Sequence, residues 1–161
     1  RLQCPFICLC CVCVSPAVVL TSCDFNQGHD PYCRFSQDNT DNGDWTRHKE
    51  YTSLFCLILC VEGYYIYHEC DNVANGQKAR LLSPVLTSSA SEICVQFRYY
   101  MYGMDSHNIL RVLAKTPSGD EEVWNKTGIQ SPSWLKGSIT VSTPSTESIT
   151  VSVSRALYML L

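Results

Sequence analysis

From Glu92 to Tyr102 the chain alternates residue by residue between two characters. Ile93, Val95, Phe97, Tyr99 and Met101 fall on one side; Cys94, Gln96, Arg98, Tyr100 and Tyr102 fall on the other. A period of two belongs to a strand, because successive side chains leave a pleated backbone on opposite faces. The β-branched and aromatic residues in the run also fit a half-buried pleated surface better than a helix. A strand of this kind must be covered on its apolar side, so the run demands a sheet with a partner layer.

Other segments repeat the pattern. Residues 63–69 and 78–84 are short aromatic or branched runs, bounded by Asn75-Gly76 and by Pro84. Residues 108–116 put Leu110, Val112 and Ala114 on one face and Arg111 and Lys115 on the other. Pro117-Ser118-Gly119-Asp120 reads as a hairpin turn, and residues 121–126 return from it. Residues 135–142 alternate again, and so do residues 148–154, where Ile149, Val151 and Val153 oppose Ser148, Thr150 and Ser152. No stretch shows a helical period. Strands and turns at this spacing predict an all-β, antiparallel β-sandwich.

The chain has 161 residues, room for one domain with a single core. Its formal net charge is −3, with 17% charged residues and no Lys/Arg block, which argues against a nucleic-acid partner. Eleven cysteines point to an oxidising compartment, and their odd number leaves at least one thiol without an intramolecular partner. Five of them crowd the apolar, Cys-rich lead at residues 1–22, which reads either as a signal- or anchor-like segment or as sequence foreign to the domain. A zinc site there is disfavoured, since Phe6, Ile7, Leu9 and Val12 fill the gaps between the thiols. Residues 51–61 form a second apolar patch that lacks alternation. Neither segment is expected to pack as an integral strand of the sandwich.

Cys23-Asp24-Phe25, Asp44-Trp45-Thr46-Arg47-His48 and the run Cys94–Gly103 together resemble the MAM domain, the extracellular module of meprin, the A5 antigen and receptor tyrosine phosphatase mu. The resemblance covers a domain at residues 23–154, interrupted at 51–61, where the family has a polar loop, and followed by a non-family tail at 155–161. The wording of residues 72–84 is similar to the zonadhesin-type branch of the family. The resemblance implies a jelly-roll sandwich, here incomplete at the carboxyl end because the family's closing strand and its cysteine are missing.

It also implies a role for several residues. Cys23 and Cys33 match the first two family cysteines and are expected to form a disulfide. Cys94 matches a third whose family partner is absent, so it is expected to be an unpaired structural cysteine, facing the sandwich interior or an uncovered sheet edge. Asp24, Asp41 and Asp44 are the candidate oxygens of a calcium site, set against a solvated turn. An EF-hand counted from Asp38 fails, because its third and twelfth positions are Thr40 and Lys49. No other cofactor is implied.

Asn125-Lys126-Thr127 is the only N-x-S/T sequon, and Asn125 is the expected glycosylation site in a secreted chain. Trp45 and Trp124 read as core or sheet-face aromatics. The tyrosines of residues 64–67 and 99–102 must point both ways from their strands, which exposes some of them for protein contact. His29, His48, His68 and His107 lack metal-protease spacing, and no nucleophile elbow or phosphate-binding loop occurs. The resulting expectation is a non-catalytic adhesion or recognition module at the cell surface. Its partner is a protein, bound homophilically or heterophilically, and membrane attachment comes through a larger parent. The alternatives are a dimerisation domain of a meprin-like protease and a defective gene-model fragment.

Overall fold

The computed structural model describes residues 6–9, 20–49, 63–68, 76–102, 107–142 and 146–155, with the side chains of 6–9 and 151–155 left aside. The described residues form ten strands: β1 Phe6–Leu9, β2 Ser36–Gln37, β3 Thr46–His48, β4 Tyr65–Tyr67, β5 Lys78–Leu82, β6 Glu92–Met101, β7 Asn108–Thr116, β8 Gly119–Thr127, β9 Ser131–Ser142 and β10 Ser148–Arg155. They form two five-stranded sheets, β3-β4-β1-β6-β9 and β2-β5-β10-β7-β8, called A and B below. Every strand pair is antiparallel. No helix occurs among the described residues. The chain passes from A to B after β6, back to A at β9 and again to B at β10, the kind of crossing a jelly roll requires.

The alternation read from the sequence decides what lies between the sheets. Val95, Phe97, Tyr99 and Met101 of β6 are buried with Ile66 and Val141 on the inner side of sheet A. Ala79, Leu81, Leu110, Val112, Ala114 and Ile149 face them from sheet B. Trp45, fully buried, closes one end with Phe25 and Phe35. Trp124 reaches across from β8, its ring edge-on to Phe97 at 4.8 Å and to Tyr99 at 5.1 Å between centroids. Such T-shaped pairs add roughly 0.5–1.5 kcal/mol beyond the area they bury. Both tryptophans are thus the core and sheet aromatics expected. β10 runs between β5 and β7, and there the polar residues are buried too: Thr150 is only 4% exposed.

Residues 20–45 wrap the end of the sandwich and are held by side chains in place of a long ladder. Cys23 and Cys33 are joined by a disulfide, with Cα atoms 5.4 Å apart. The bridge closes a loop in which Cys33 (φ 53°) and Arg34 (φ 68°) both sit in the left-handed region that L residues seldom adopt. Asp30 holds that turn, its carbonyl accepting from the Cys33 N–H at 3.1 Å and its carboxylate from the Arg34 N–H at 3.2 Å. Further along, Gln37 pairs with Trp45 as a strand would. Its amide donates to the Trp45 carbonyl at 2.7 Å and accepts from the Trp45 N–H at 3.1 Å.

One expectation is corrected here. Phe6–Leu9, inside the apolar lead, is an integral strand of sheet A, pairing with β4 on one side and with β6 on the other. Pairing of this kind depends on partners far along the chain, and the run itself offers no local sign of them. The remainder of the lead, the segment 51–61, Cys70 and residues 156–161 lie outside the described residues.

Phe97 stands directly opposite Gly137 on β9, and a Cβ built at Gly137 would run into the Phe97 ring. Gly137→Ala is therefore expected to destabilise the fold by about 1–3 kcal/mol through overpacking, read as a lower urea midpoint with an unchanged slope. Replacing Cys23 and Cys33 together by Ser should cost about 2–3 kcal/mol, from the freedom regained by the unfolded chain. Loss of the thermal transition midpoint difference between oxidised and reduced wild type would contradict that figure.

Candidate interaction face

The outward side of sheet A is the most distinctive surface of the molecule. Because odd-numbered residues of β6 and β9 point into the core, Arg98, Tyr100 and Tyr102 point out beside Trp134 and Lys136. On β4, Ile66 is buried and Tyr65 and Tyr67 point out; on β3, His48 does. Tyr64, just before β4, turns inward, where the Arg47 guanidinium lies 3.4 Å from its ring centroid.

The outward rings touch one another across the sheet. His48 lies edge-on to Tyr65 at 5.7 Å and to Tyr67 at 5.9 Å. Tyr65 meets Trp134 at 6.3 Å, Trp134 meets Tyr100 at 6.0 Å, and Tyr100 meets Tyr102 at 6.4 Å. Tyr100, packed among them, is 3% exposed, whereas Tyr102 is 45% exposed. Next to Tyr102, the Met101 carbonyl accepts from the Gln130 N–H at 2.8 Å, which brings Ile129, 51% exposed, to the same end of the face.

A local irregularity aims Trp134. The register between β6 and β9 runs from Tyr99↔Leu135 to Met101↔Ser131, so Pro132, Ser133 and Trp134 oppose Tyr100 alone. Pro132 has no N–H for the ladder, and such residues are confined to edges and bulges. The bulge swings Trp134 over the sheet towards Tyr65 and Tyr100. This residue was overlooked in the sequence because Ser-Pro-Ser reads as a break; its signal was the alternation Trp134, Lys136, Ser138 and Thr140. Arg98 and Lys136, exposed register partners, follow the rings along the same face. Rings and arginine, arranged on a broad sheet surface, are what protein-binding patches are rich in.

The carboxylates expected to hold calcium are placed apart in function. Asp24 accepts from the Asn26 N–H at 2.9 Å, and this contact holds its carboxyl below the usual range. Asp41 accepts from the Arg80 N–H at 2.6 Å, yet burial outweighs that bond and pushes its carboxyl up. Asp44 is exposed in the turn before Trp45. Among the described residues no three His, Cys, Asp or Glu side chains are grouped to share a cation. The turn is tied to β5 by its acids instead: Asp38 caps Thr40 through the backbone at 2.8 Å and the hydroxyl at 2.6 Å, and meets Arg80 at 3.4 Å. The Thr40 bonds, more than the arginine, hold the Asp38 carboxyl low.

Cys94 is also relocated. It lies on the outward side of β6, an inner strand of sheet A, with its sulfur 3.6 Å from Ser138 Oγ, and faces neither the interior nor an uncovered edge. Its own place in the alternation carried that answer. Asn125 is exposed on β8, an edge strand, where its side chain donates to Glu122 at 2.5 Å.

The described residues thus form a two-sheet antiparallel sandwich with an aromatic outward face on sheet A. The chain belongs to the MAM family: the model of the MAM domain, meprin/A5/mu, matches residues 23–156. It is 36% identical over 127 residues to zonadhesin of Sus scrofa, an alignment covering 74% of this chain and 5% of that protein. It is 35% identical over 127 residues to MAM domain-containing protein 2 of Homo sapiens, with 74% and 18% covered. MAM domain-containing glycosylphosphatidylinositol anchor protein 1 of Gallus gallus is 30% identical over 142 residues, with 80% and 15% covered. The chain thus spans between about a twentieth and a fifth of these relatives.

The two shifted carboxyls give opposite pH signatures. Asp38, held low, stabilises the fold above the unfolded value of about 3.9 and loses that contribution as pH falls through its folded value. Asp41, held high, favours the fold below the unfolded value and loses that contribution as pH rises through its folded value. Asp38→Asn should therefore melt below wild type at neutral pH, with the gap closing towards roughly pH 2–3. Asp41→Asn, which keeps an acceptor for Arg80, should melt at or above wild type at neutral pH. Thermal scans at the two pH values separate these outcomes.

Proposed function

We propose that this chain is a non-catalytic extracellular adhesion module, and that it makes protein–protein contact between cells, or between cell and matrix, through the outward face of sheet A. The ring ladder from His48 to Tyr102 carries this reading. Ring-to-ring packing stabilises the sheet, but a cluster of six rings on the outward side of one sheet, with His48 and Tyr102 exposed at its two ends, is also the kind of apolar patch that marks an interaction site. The ladder is also rigid, each ring braced by the next, so binding costs little side-chain entropy. Family membership supports the same reading, as do relatives whose names speak of adhesion and of a membrane anchor. The expected Asn125 glycan fits a secreted chain and would sit on the edge of sheet B, away from this face.

The test uses labelled chain applied to matrix coatings and to cell monolayers, including cells that display the same chain. Wild type should bind at least one of them, and Tyr65→Ser/Tyr67→Ser/Trp134→Ser should lower that binding by at least about tenfold, as loss of a hot spot does. The variant must keep the β-sheet circular dichroism signal. Binding that survives the triple substitution would remove the face from the proposal.

A further inference from the structure

We infer that the outward face of sheet A takes the β7–β8 hairpin tip of a second copy of this chain; this rests on the proposed function and names its partner. The first observation is a like-charge pair. Arg98 and Lys136 stand directly opposite on β6 and β9, both exposed, and neither makes an ion pair among the described residues. Like charges at facing positions destabilise a sheet, so the pair is a standing cost that an anionic partner would relieve.

The same chain carries the matching anion elsewhere. At the tip of the β7–β8 hairpin, Asp120 and Glu121 are exposed and make no ion pair among the described residues. The exposed Glu147 is tied to the same place by its N–H, which donates to the Lys115 carbonyl at 2.7 Å. Against Lys115, the register partner of Asp120, these three carboxylates leave the tip at −2, opposite in sign and equal in size to the Arg98–Lys136 pair. Glu122 is already taken by Arg111 at 2.8 Å.

The tip also suits the rings. Pro117 is exposed at its end and offers the rings a rigid apolar contact. Its shape is fixed before contact, because the Thr116 hydroxyl donates to the Gly119 carbonyl at 2.8 Å and accepts from the Ser118 N–H at 3.3 Å. Face and tip are different surfaces on different sheets. The contact is therefore heterologous, head to tail, and propagates from copy to copy instead of closing as a two-fold dimer.

Sedimentation of the full 161-residue chain, with its Cys23–Cys33 bridge formed, tests this. Wild type should show a mass that keeps rising with concentration beyond the dimer, and should associate less at about 0.5 M salt, where exposed charges are screened. Arg98→Glu/Lys136→Glu should weaken self-association by about tenfold or more. Adding Asp120→Lys/Glu121→Lys to that variant reverses both surfaces and returns the net charge to its wild-type value, and should restore association to within about threefold of wild type. Three results overturn the inference: a monomeric wild type, a face-reversed variant that associates like wild type, or a fourfold variant that stays as weak as the face reversal. If one of these appears while Tyr65→Ser/Tyr67→Ser/Trp134→Ser still abolishes cell or matrix binding, the adhesive face stands and its partner is a different protein.

Discussion

Everything in this molecule hangs on the place where Phe97 lies over Gly137 and Trp124 meets it edge-on at 4.8 Å. Phe97 belongs to sheet A and Trp124 to sheet B, so the contact fixes how the two layers lie on each other. Glycine opposite an aromatic residue lets the ring settle onto the neighbouring backbone, a known device for covering a glycine in an edge strand. The open space at Gly137 and the bulk of Phe97 are one feature divided between two strands. Interiors packed to this density transmit small volume changes instead of absorbing them, which is why a single methyl at Gly137 is felt across the sandwich.

Because β6 is fixed from its inner side, its outer side becomes a dependable platform. Val95, Phe97, Tyr99 and Met101 lock the strand, and Arg98, Tyr100 and Tyr102 inherit fixed positions from them. The Pro132 bulge then adds Trp134 from β9 and completes the ring ladder with Tyr65 and Tyr67. Rings on rigid strands hold a geometry that rings on loops would not. The long irregular segment at residues 20–45 keeps the other end closed, and it does so with a disulfide, an Asp30 turn and the Gln37–Trp45 pairing.

Most of the fold was legible because period-two patterning is a local property. β6, β7 and β8 fall where alternation and the Pro117–Asp120 turn put them, and Leu110, Val112 and Ala114 are buried as read. What was not legible is what depends on distant partners. Phe6–Leu9 joins sheet A through pairing with residues about 60 and 90 positions away, and nothing in its apolar, cysteine-rich run announces either neighbour. The face was half legible. Tyr65, Tyr67, Tyr100 and Tyr102 could be assigned outward by parity, but Trp134 sits behind a proline that breaks the pattern, and its approach to Tyr65 spans the two intervening strands β1 and β6. Cys94 shows the reverse failure: parity placed it outward, and a family expectation placed it in the interior or at an uncovered sheet edge. In the 38–44 turn, the bond from the Thr40 N–H to Asp38 is local, whereas the bond from the Arg80 N–H to Asp41 can be seen only once β5 is in place.

The small net charge conceals how the charge is arranged. With −3 overall, the outward face of sheet A carries Arg98 and Lys136 while the far hairpin gathers Asp120 and Glu121. Exposed ion pairs contribute only about 0–1 kcal/mol each, so these groups do not hold a complex together by themselves. Their influence falls on encounter rate and on orientation, since complementary patches steer approach and like patches exclude wrong poses. Desolvated rings act on the other half of the process: Tyr and Trp in packed clusters set how slowly a complex separates. In the proposed contact the two tasks would fall to neighbouring parts of one sheet, with charge selecting the pose and aromatic area retaining it. Salt and aromatic substitution should consequently act on different rate constants, a separation that no pocket-based or catalytic use of the same surface would produce.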